Sequence, residues 1–591
     1  LLLELPYREI WAVDFEFIAD PGERPAPVCM VAMELRSRRV IRLWQDDLRS
    51  LKEAPFNTGP NSLFVAYYAS AEIGCFLALG WSVPARVLDL FTEFRVETNG
   101  ITGLRPSLLG ALQYFGLPGI GAEEKASMRR LISNGGPWSN DVQLAILEYC
   151  QGDVEALEQL LPALAPAIAT NKKRLGQALL RGRYMTAVAR MEWTGVPIDV
   201  STLALLRRHG EIIKLALIEE VDREFGVFEG LSFRSARFEE YLIRKGIPWP
   251  RLPSGRLALD RDTFRTQAKL YPELIGPIYE LRQSLSELRL ENLSVGSDGR
   301  CRTLLSPFRS KTGRNQPSTS KWIFGPSAWY RGLIKPPPWF SLVYLDWSSQ
   351  EIAIAAALSG DRALIADYAD GDPYLKFAKR TRLAPSEATK KSHKAVRDLV
   401  KIVFLAVNYG MSAQGLAMLA SLSVPKAQQL LQLHRDRYPR FWWWMGDQVN
   451  LGLAGIPLQT RFGWKITYCN GTSEPNARSV MNFPMQAHGA EMLRLACCEA
   501  TEQALSICAP VHDALLLETK TEYAARDIAR LRGIMEKASE AVMGLPGFQC
   551  RVDVDPIHFP DRYMDPRGAV MWGRIMKLLD DAERRPSRGT A

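Results

Sequence analysis

Asp346 and Asp513 are the residues whose types and surroundings most directly promise chemistry. Asp346 ends the apolar run Ser341-Leu-Val-Tyr-Leu-Asp346, and Asp513 stands in Pro510-Val-His-Asp-Ala-Leu-Leu-Leu-Glu518. The first run reads as a strand ending in an acid, which offers a metal both its carboxylate and the next backbone carbonyl, that of Trp347. The second reads as a hairpin with the acid at its tip. Side by side, the two aspartates would hold two Mg²⁺ ions, with Mn²⁺ as a substitute. One ion would activate an attacking hydroxyl and the other would steady a departing pyrophosphate. Between them in sequence, Arg397, Lys401 and Tyr409 sit at i, i+4 and i+12 of a helical pattern, close to one face. Two cations there can bind a triphosphate. Either aspartate alone is as readily structural, and a cationic helix is usually a solvated face. Together they point to nucleotidyl transfer.

A second acidic set lies near the start. Asp14 and Glu16 are two apart on a strand pattern, so both side chains point to one face. Tyr149 and Asp153 are four apart on a helical pattern and also share a face. Asp14, Glu16 and Asp153 could converge on a second pair of metal ions, with Tyr149 orienting a water. An isolated Asp-x-Glu on a strand is more often surface charge.

The elements that must position these groups can be read coarsely. Trp11-Ala-Val-Asp-Phe-Glu-Phe-Ile and Leu63-Phe-Val-Ala-Tyr read as strands, and Asp141 to Leu164 as a helix, so residues 1–165 read as a compact α/β domain. Residues 170–300 carry long helical patterns, Asn292 to Ser320 is loop-rich, and strands and helices mix from 340 onward. The 591 residues imply more than one domain. A hydrophobic fraction of 47% argues against extensive disorder, and a net charge of +9 suits a polyanionic partner. Nine scattered cysteines show no zinc spacing and read as reduced thiols of a cytoplasmic protein. The opening Leu-Leu-Leu-Glu-Leu-Pro-Tyr-Arg reaches a charge too soon for a signal peptide, and no apolar run suits a membrane span.

Three stretches follow in order: Trp11-Ala-Val-Asp14-Phe-Glu16, Val87-Leu-Asp89-Leu-Phe-Thr-Glu-Phe-Arg95 and Glu148-Tyr149-Cys-Gln-Gly-Asp153. Together they resemble the DEDDy type of proofreading 3′–5′ exonuclease domain, which has a ribonuclease H-like fold. That family carries Asn-x-x-x-Asp between the first two stretches; here Tyr68 and Glu72 take those places. By resemblance Glu72 joins Asp14, Glu16, Tyr149 and Asp153 as a catalytic residue, its longer arm changing the geometry.

The blocks around Asp346, Arg397 to Gly410 and Asp513 resemble motifs A, B and C of family A DNA polymerases, the bacterial DNA polymerase I group and its phage relatives. Met191-Glu192-Trp-Thr-Gly195-Val-Pro-Ile-Asp199, Thr312-Gly313-Arg314, Arg331, Thr460-Arg-Phe-Gly463 and Arg478-Ser-Val-Met-Asn482-Phe-Pro-Met-Gln486 fall in the order of that family's landmarks. The resemblance makes Glu351 a steric gate against a ribose 2′-hydroxyl. It places Tyr409 beside the nascent base pair, Arg314 and His512 at the primer end, and Arg478, Asn482 and Gln486 against the minor groove and template. Three departures stand out: Leu405 where an aromatic is usual, Tyr374 where His is usual near the triphosphate, and Ala514 where Glu often follows Asp513. Several such choices resemble phage enzymes more than cellular repair polymerases.

The expectation is therefore an α/β and α+β multidomain protein, a ribonuclease H-like exonuclease domain followed by a right-hand polymerase. Its parts would be exonuclease 1–169, thumb 170–300, palm 301–360 and 466–591, and fingers 361–465. It would work as a cytoplasmic monomer on primer-template DNA and deoxynucleoside triphosphates, with phage replication proteins as further partners. With no 5′-nuclease region ahead of the exonuclease, it would copy and proofread without removing primers. The alternatives left open are a repair or translesion polymerase with weak or altered proofreading, and a non-catalytic DNA-binding protein.

Overall fold

The computed structural model describes residues 5–119, 121–288, 290–468 and 476–584. The opening Leu-Leu-Leu-Glu and the polar tail at 585–591 lie outside the described residues. The chain divides into two units. The first comprises Leu1–Gly195, Leu304–Gln316 and Ser341–Pro556; the second comprises Val196–Thr303, Pro317–Phe340 and Ile557–Ala591.

The first unit begins with a five-stranded mixed sheet. Strands β1 (Glu9–Ile18), β2 (Ala26–Glu34), β3 (Val40–Trp44), β4 (Ser62–Ala66) and β5 (Val87–Asp89) lie in the order β3-β2-β1-β4-β5. The β1–β2 and β2–β3 pairs are antiparallel, and β1–β4 and β4–β5 are parallel. As the central strand, β1 is apolar on both faces from Ile10 to Val13, as burial on two sides requires. From Asp14 the pattern alternates, with Phe15 buried between the two acids. A register shift between Glu16 and Phe17 ends the regular pairing there.

Among the helices of this part are α1 (Ser70–Leu79), α2 (Leu90–Thr98), α3 (Ala122–Ser133) and α4 (Asn140–Ile168). On α4, Ile146, Tyr149, Cys150, Asp153, Leu157, Leu160, Leu161 and Leu164 are buried at helical spacing. That stripe packs on β1 and β2 and carries Tyr149 and Asp153 with it. Asp89 is buried and caps α2, accepting from the Thr92 amide at 2.6 Å and from the Ala69 amide at 2.5 Å. Its role is to join β5 to the starts of two helices.

Helix α5 (Lys172–Thr194) crosses against β5. Gly182 is needed at the crossing, because a Cβ there would stand 1.9 Å from the Val87 carbonyl oxygen. The neighbouring Arg181 makes a bidentate pair with Glu93 of α2, at 2.6 and 2.7 Å, with both side chains buried. Removing one partner strands the other charge in the interior, so Glu93→Ala should cost about 3–5 kcal/mol. The check is a drop in the urea midpoint that Arg181→Met largely restores in the Glu93→Ala background.

The rest of the first unit is built on a four-stranded sheet. It contains β6 (Phe340–Trp347), β7 (Ser506–Val511), β8 (Ala514–Lys520) and β9 (Val552–His558), in the order β7-β8-β6-β9. The two inner strands are the most apolar: Leu342, Val343 and Leu345 of β6 and Leu515, Leu516 and Leu517 of β8 are fully buried. Its helices include α6 (Gln350–Ser359), α7 (Pro373–Arg380), α8 (Lys394–Asn408), α9 (Ala477–Glu502) and α10 (Ala524–Met543).

The loop Leu304–Gln316 is held by both sheets' helices. Arg95 of α2 donates to the Phe308 and Arg309 carbonyls at 3.3 and 3.2 Å, and Asn99 donates to Lys311 at 2.7 Å. From the other side, Trp464 donates to the Lys311 carbonyl and Arg494 of α9 to that of Gly313, both at 2.9 Å.

The second unit is mainly helical, with helices Val200–Arg208, Gly210–Phe225, Ser235–Lys245, Arg261–Leu270, Gly276–Glu287 and Ala569–Arg584. Phe238 and Phe264 stack at 5.3 Å, with Trp249 edge-on at 4.9 Å to Phe238. Arg331 is buried there against Asp565. No helix among the described residues is long and apolar enough to cross a membrane.

Candidate active sites

The first site forms where β6 meets the β7–β8 hairpin. Val511 pairs with Ala514, so His512 and Asp513 alone make the turn. His512 takes φ +56°, a conformation that a two-residue hairpin demands and that normally favours Gly or Asn. A histidine held there is local strain at an exposed position, as functional turns often show. The Trp347 amide donates to the Asp513 carbonyl at 3.3 Å, which brings the tip beside the end of β6. Asp346 and Asp513 consequently interact. Burial, then Asp513 and then Asp553 push the Asp346 carboxyl up to about 8, against the pull of Lys401. Burial also raises Asp513, while Arg314, His512 and Lys401 lower it. Asp346 Oδ1 is buried and accepts no hydrogen bond.

Helix α8 faces this pair. Val400, Val403, Phe404, Ala406 and Val407 are buried, whereas Lys401, Leu405 and Tyr409 form an exposed row with Arg397 half-buried at its head. Arg397 Nε donates to Asp372 at 2.5 Å, and its guanidinium lies 5.1 Å from the Tyr374 ring centre. Tyr374 is itself buried, bonded to Ser349 and edge-on to Phe404 at 5.6 Å. The structure thus sets Tyr374 beneath Arg397, as part of its support. Gly410 ends the helix at φ +60°, where a Cβ would come within 2.7 Å of Met481 Sδ. Tyr409 Oη accepts from Gln486 of α9 at 3.3 Å, which ties the end of α8 to α9.

Glu351 opens α6, directly after β6. It is hydrogen-bonded to Asn408 and lies 3.9 Å from Arg314, and its Oε2 is buried without a partner. Burial first raises its carboxyl, and Arg314 opposes the shift. The charge of Arg314 therefore acts on both Glu351 and Asp513. On α9, Arg478 is exposed, Gln486 is half-buried, and Asn482 Oδ1 is buried with no hydrogen-bond partner.

The second site lies at the end of β1. Asp14, Glu16 and Asp153 each offer an oxygen within 4.8 Å of the others. Burial, followed by Glu16 and Asp153, raises Asp14 well above the usual carboxylate range. Burial first, with Cys29 and Asp153 adding to it, pushes Glu16 up to about 8. Cys150 Sγ donates to Asp14 Oδ2 at 3.3 Å. Tyr149 is buried one helical turn from Asp153, and its phenol is raised by burial. Glu72 is buried on α1 and repelled chiefly by Asp14, yet it stays outside the group of three. Tyr68 does not enter the cluster: its ring lies edge-on to Phe91 at 5.0 Å and its hydroxyl bonds Ser306.

Two charged groups beside these sites escaped the sequence reading. Asp553 of β9 acts on Asp346 from the neighbouring strand. The alternation Val552-Asp-Val-Asp555 would have placed it on one strand face. Lys125 of α3 reaches both Asp153 oxygens, at 2.6 and 2.7 Å. No short-range pattern singles it out among the charges of its helix.

Comparisons with known proteins place this geometry. The model for DNA polymerase family A matches residues 323–555, which hold Asp346, Asp513, α8 and α9. The thermostable DNA polymerase I of Thermus caldophilus is 26% identical over 377 residues, covering 59% of this chain and 44% of that protein. The DNA polymerase I of Aquifex aeolicus is 25% identical over 433 residues, covering 68% of this chain and 73% of that one. The chain thus spans less than half the length of the Thermus protein. Among solved structures, the POL domain of Pol1 from M. smegmatis, in complex with DNA primer-template and dNTP, is similar in fold. Its TM-score is 0.73 at 17% identity, covering 96% of this chain and 97% of that one. The motifs around Asp346, Lys401 and Asp513 all fall inside the matched span, so it is over residues 323–555 that this chain is similar to DNA polymerase family A.

Proposed function

We propose that this chain extends a primer 3′ end along a DNA template with deoxynucleotides and removes mismatched 3′ ends at a second site. The observation that carries the synthetic reading is the meeting of Asp346 and Asp513 opposite the exposed row of α8, within the span similar to family A. An unpartnered Asp346 oxygen and two neighbouring carboxyls, both raised chiefly by burial, make a site short of positive charge, which fits hard divalent cations. Asp346, Asp513 and the Trp347 carbonyl would hold two Mg²⁺ ions, with Asp14, Glu16 and Asp153 holding a second pair. Bound there, Mg²⁺ or Mn²⁺ lowers the pKa of the attacking hydroxyl or water and neutralises charge on the leaving group.

The chain's own groups do the rest. Arg397 and Lys401 take the triphosphate, with Asp372 and Tyr374 keeping the guanidinium aimed outward. Leu405 and Tyr409 cover the incoming base, and Tyr409 is steadied by Gln486. Arg314, His512, Arg478, Asn482 and Gln486 bind primer and template. Glu351 fills the space beside the sugar, its position fixed by Asn408 and Arg314. Glu351→Ala should raise ribonucleotide incorporation relative to deoxynucleotide by about tenfold or more, equal to ~1.4 kcal/mol of lost discrimination. An unaltered ratio in single-nucleotide insertion would remove this role.

At the second site, Asp14, Glu16 and Asp153 face one point, with Tyr149 beside them and Glu72 behind. The sheet order with β2 antiparallel to β1 supports a ribonuclease H-like exonuclease domain over 1–169. The proposed division continues with thumb 170–300, fingers 361–465 and a palm split across 301–360 and 466–591. Lys125 within the acidic group favours the second reading, a polymerase with weak or altered proofreading. Primer extension with Mg²⁺ on matched and mismatched ends tests both sites: extension of matched ends and shortening of mismatched ones is the expected result. No extension would overturn the synthetic reading, and intact mismatched ends would overturn the editing one.

A further inference from the structure

The ammonium of Lys125 sits inside the acidic group of β1 and α4. Nζ lies 2.6 and 2.7 Å from the two oxygens of Asp153 and 5.7 Å from the Tyr149 ring centre. The Lys125 and Asp153 side chains are only 12% and 11% exposed. The charge of Lys125 also pulls down the carboxyls of Asp14 and Glu16, with Arg129 assisting at Glu16. A second feature points the same way. Glu72 is 4% exposed, faces Asp14, and has an oxygen with no hydrogen-bond partner. The site therefore gathers more acidic groups than Lys125 alone can pair. Beside the pair opens a cavity of about 270 Å³, lined by Leu108, Leu112, Pro118 and Ala156 as well as Lys125 and Asp153.

We propose that Lys125 is a built-in competitor for divalent metal at this second site. The inference rests on the proofreading reading above. An ammonium seated against both Asp153 oxygens occupies the carboxylate's open side and places a positive charge where a metal ion would sit, so the two cations oppose one another at Asp153. The apolar walls of the cavity suit the methylene stem of a lysine that has withdrawn. Metal entry then requires an exchange in which the ammonium leaves Asp153, and removal of 3′ ends requires more free metal than synthesis does. The arrangement keeps the eraser idle until the divalent ion outcompetes a single charge.

The test uses the full chain with Asp346→Asn and Asp513→Asn, so that the first site loses both aspartates proposed to hold metal, and reads bound Mn²⁺ by electron paramagnetic resonance. Removing a neighbouring cation from a buried acidic group should tighten Mn²⁺ binding by about tenfold or more in Lys125→Met. Lys125→Arg should bind as the parent does, and adding Asp14→Asn should abolish the gain. Lys125→Gln repeats the measurement should Met disturb the packing. In the chain with Asp346 and Asp513 intact, Lys125→Met should lower the metal concentration for half-maximal removal of a mismatched 3′ end. That for extension of a matched end should not change. Equal Mn²⁺ affinity in the parent and Lys125→Met overturns the proposal, even if mismatched ends are removed. Tighter Mn²⁺ binding with no removal of ends by any variant upholds the competition and overturns the proofreading reading. Loss of removal in Lys125→Met without tighter Mn²⁺ binding assigns Lys125 to the reacting phosphate and also overturns the proposal.

Discussion

Asp346→Ala should lower primer extension by about a thousandfold, a barrier increase of about 4 kcal/mol, while removal of mismatched 3′ ends persists. Asp346 closes β6 beside the hairpin tip and offers an oxygen that no protein group satisfies. No other carboxylate replaces it on the same strand end. The loss can be separated from unfolding by its sign. Burial and the neighbouring Asp513 and Asp553 raise the folded-state carboxyl from 3.8 to about 8. A raised acid costs stability as pH climbs through that window, because the folded form holds its proton more tightly than the unfolded one. In metal-free buffer above pH 8, Asp346→Ala should therefore melt no lower than the parent, as followed by thermal denaturation. A variant that is inactive and equally stable places Asp346 in the chemistry; sustained extension would remove it from the metal site.

The paired substitution Asp14→Ala, Glu16→Ala should lower the removal of a mismatched 3′ end by about a thousandfold, again ~4 kcal/mol. The two side chains project from one face of β1 toward Asp153, with ligand oxygens within 4.8 Å. Taking away two of three acids leaves Asp153 paired to Lys125 alone, a neutral arrangement with little pull on a divalent ion. Both acids are raised chiefly by burial, Asp14 further by Glu16 and Asp153 and Glu16 by Cys29 and Asp153, so their loss should not unfold the sheet. The buried Ile10 to Val13 segment that holds β1 in place is untouched. Extension of matched ends should persist, because β6 and the hairpin carry their own carboxylates. Unchanged shortening of mismatched ends on a sequencing gel would put the nuclease elsewhere.

Local pattern carried much of this arrangement. An apolar run closing on Asp346, a two-residue turn at His512-Asp513, and a four-residue rhythm from Arg397 to Tyr409 are properties of neighbours in the chain. Strand, hairpin and helix geometry then say which side chains share a face. The pairs Asp14 with Glu16 and Tyr149 with Asp153 were legible for the same reason. Asp89 shows the limit of such reading: it lies in a recognisable stretch, yet its oxygens are consumed by the Ala69 and Thr92 amides. Tyr374 likewise sits in the expected segment, yet is buried as a prop for Arg397.

The sequence by itself determined which residues could be ligands and on what kind of element each stands, because periodicity is a short-range property. Only the tertiary structure decided which of them meet, and what else joins them. Asp553 reaches Asp346 through strand order, and Arg95 and Asn99 clamp the loop of Arg314 from more than two hundred residues away. Lys125 enters the acids of β1 and α4 because α3 packs across them. Charge balance in a buried site is a sum over all groups within a few ångströms, and nothing in the spacing along a chain records that sum.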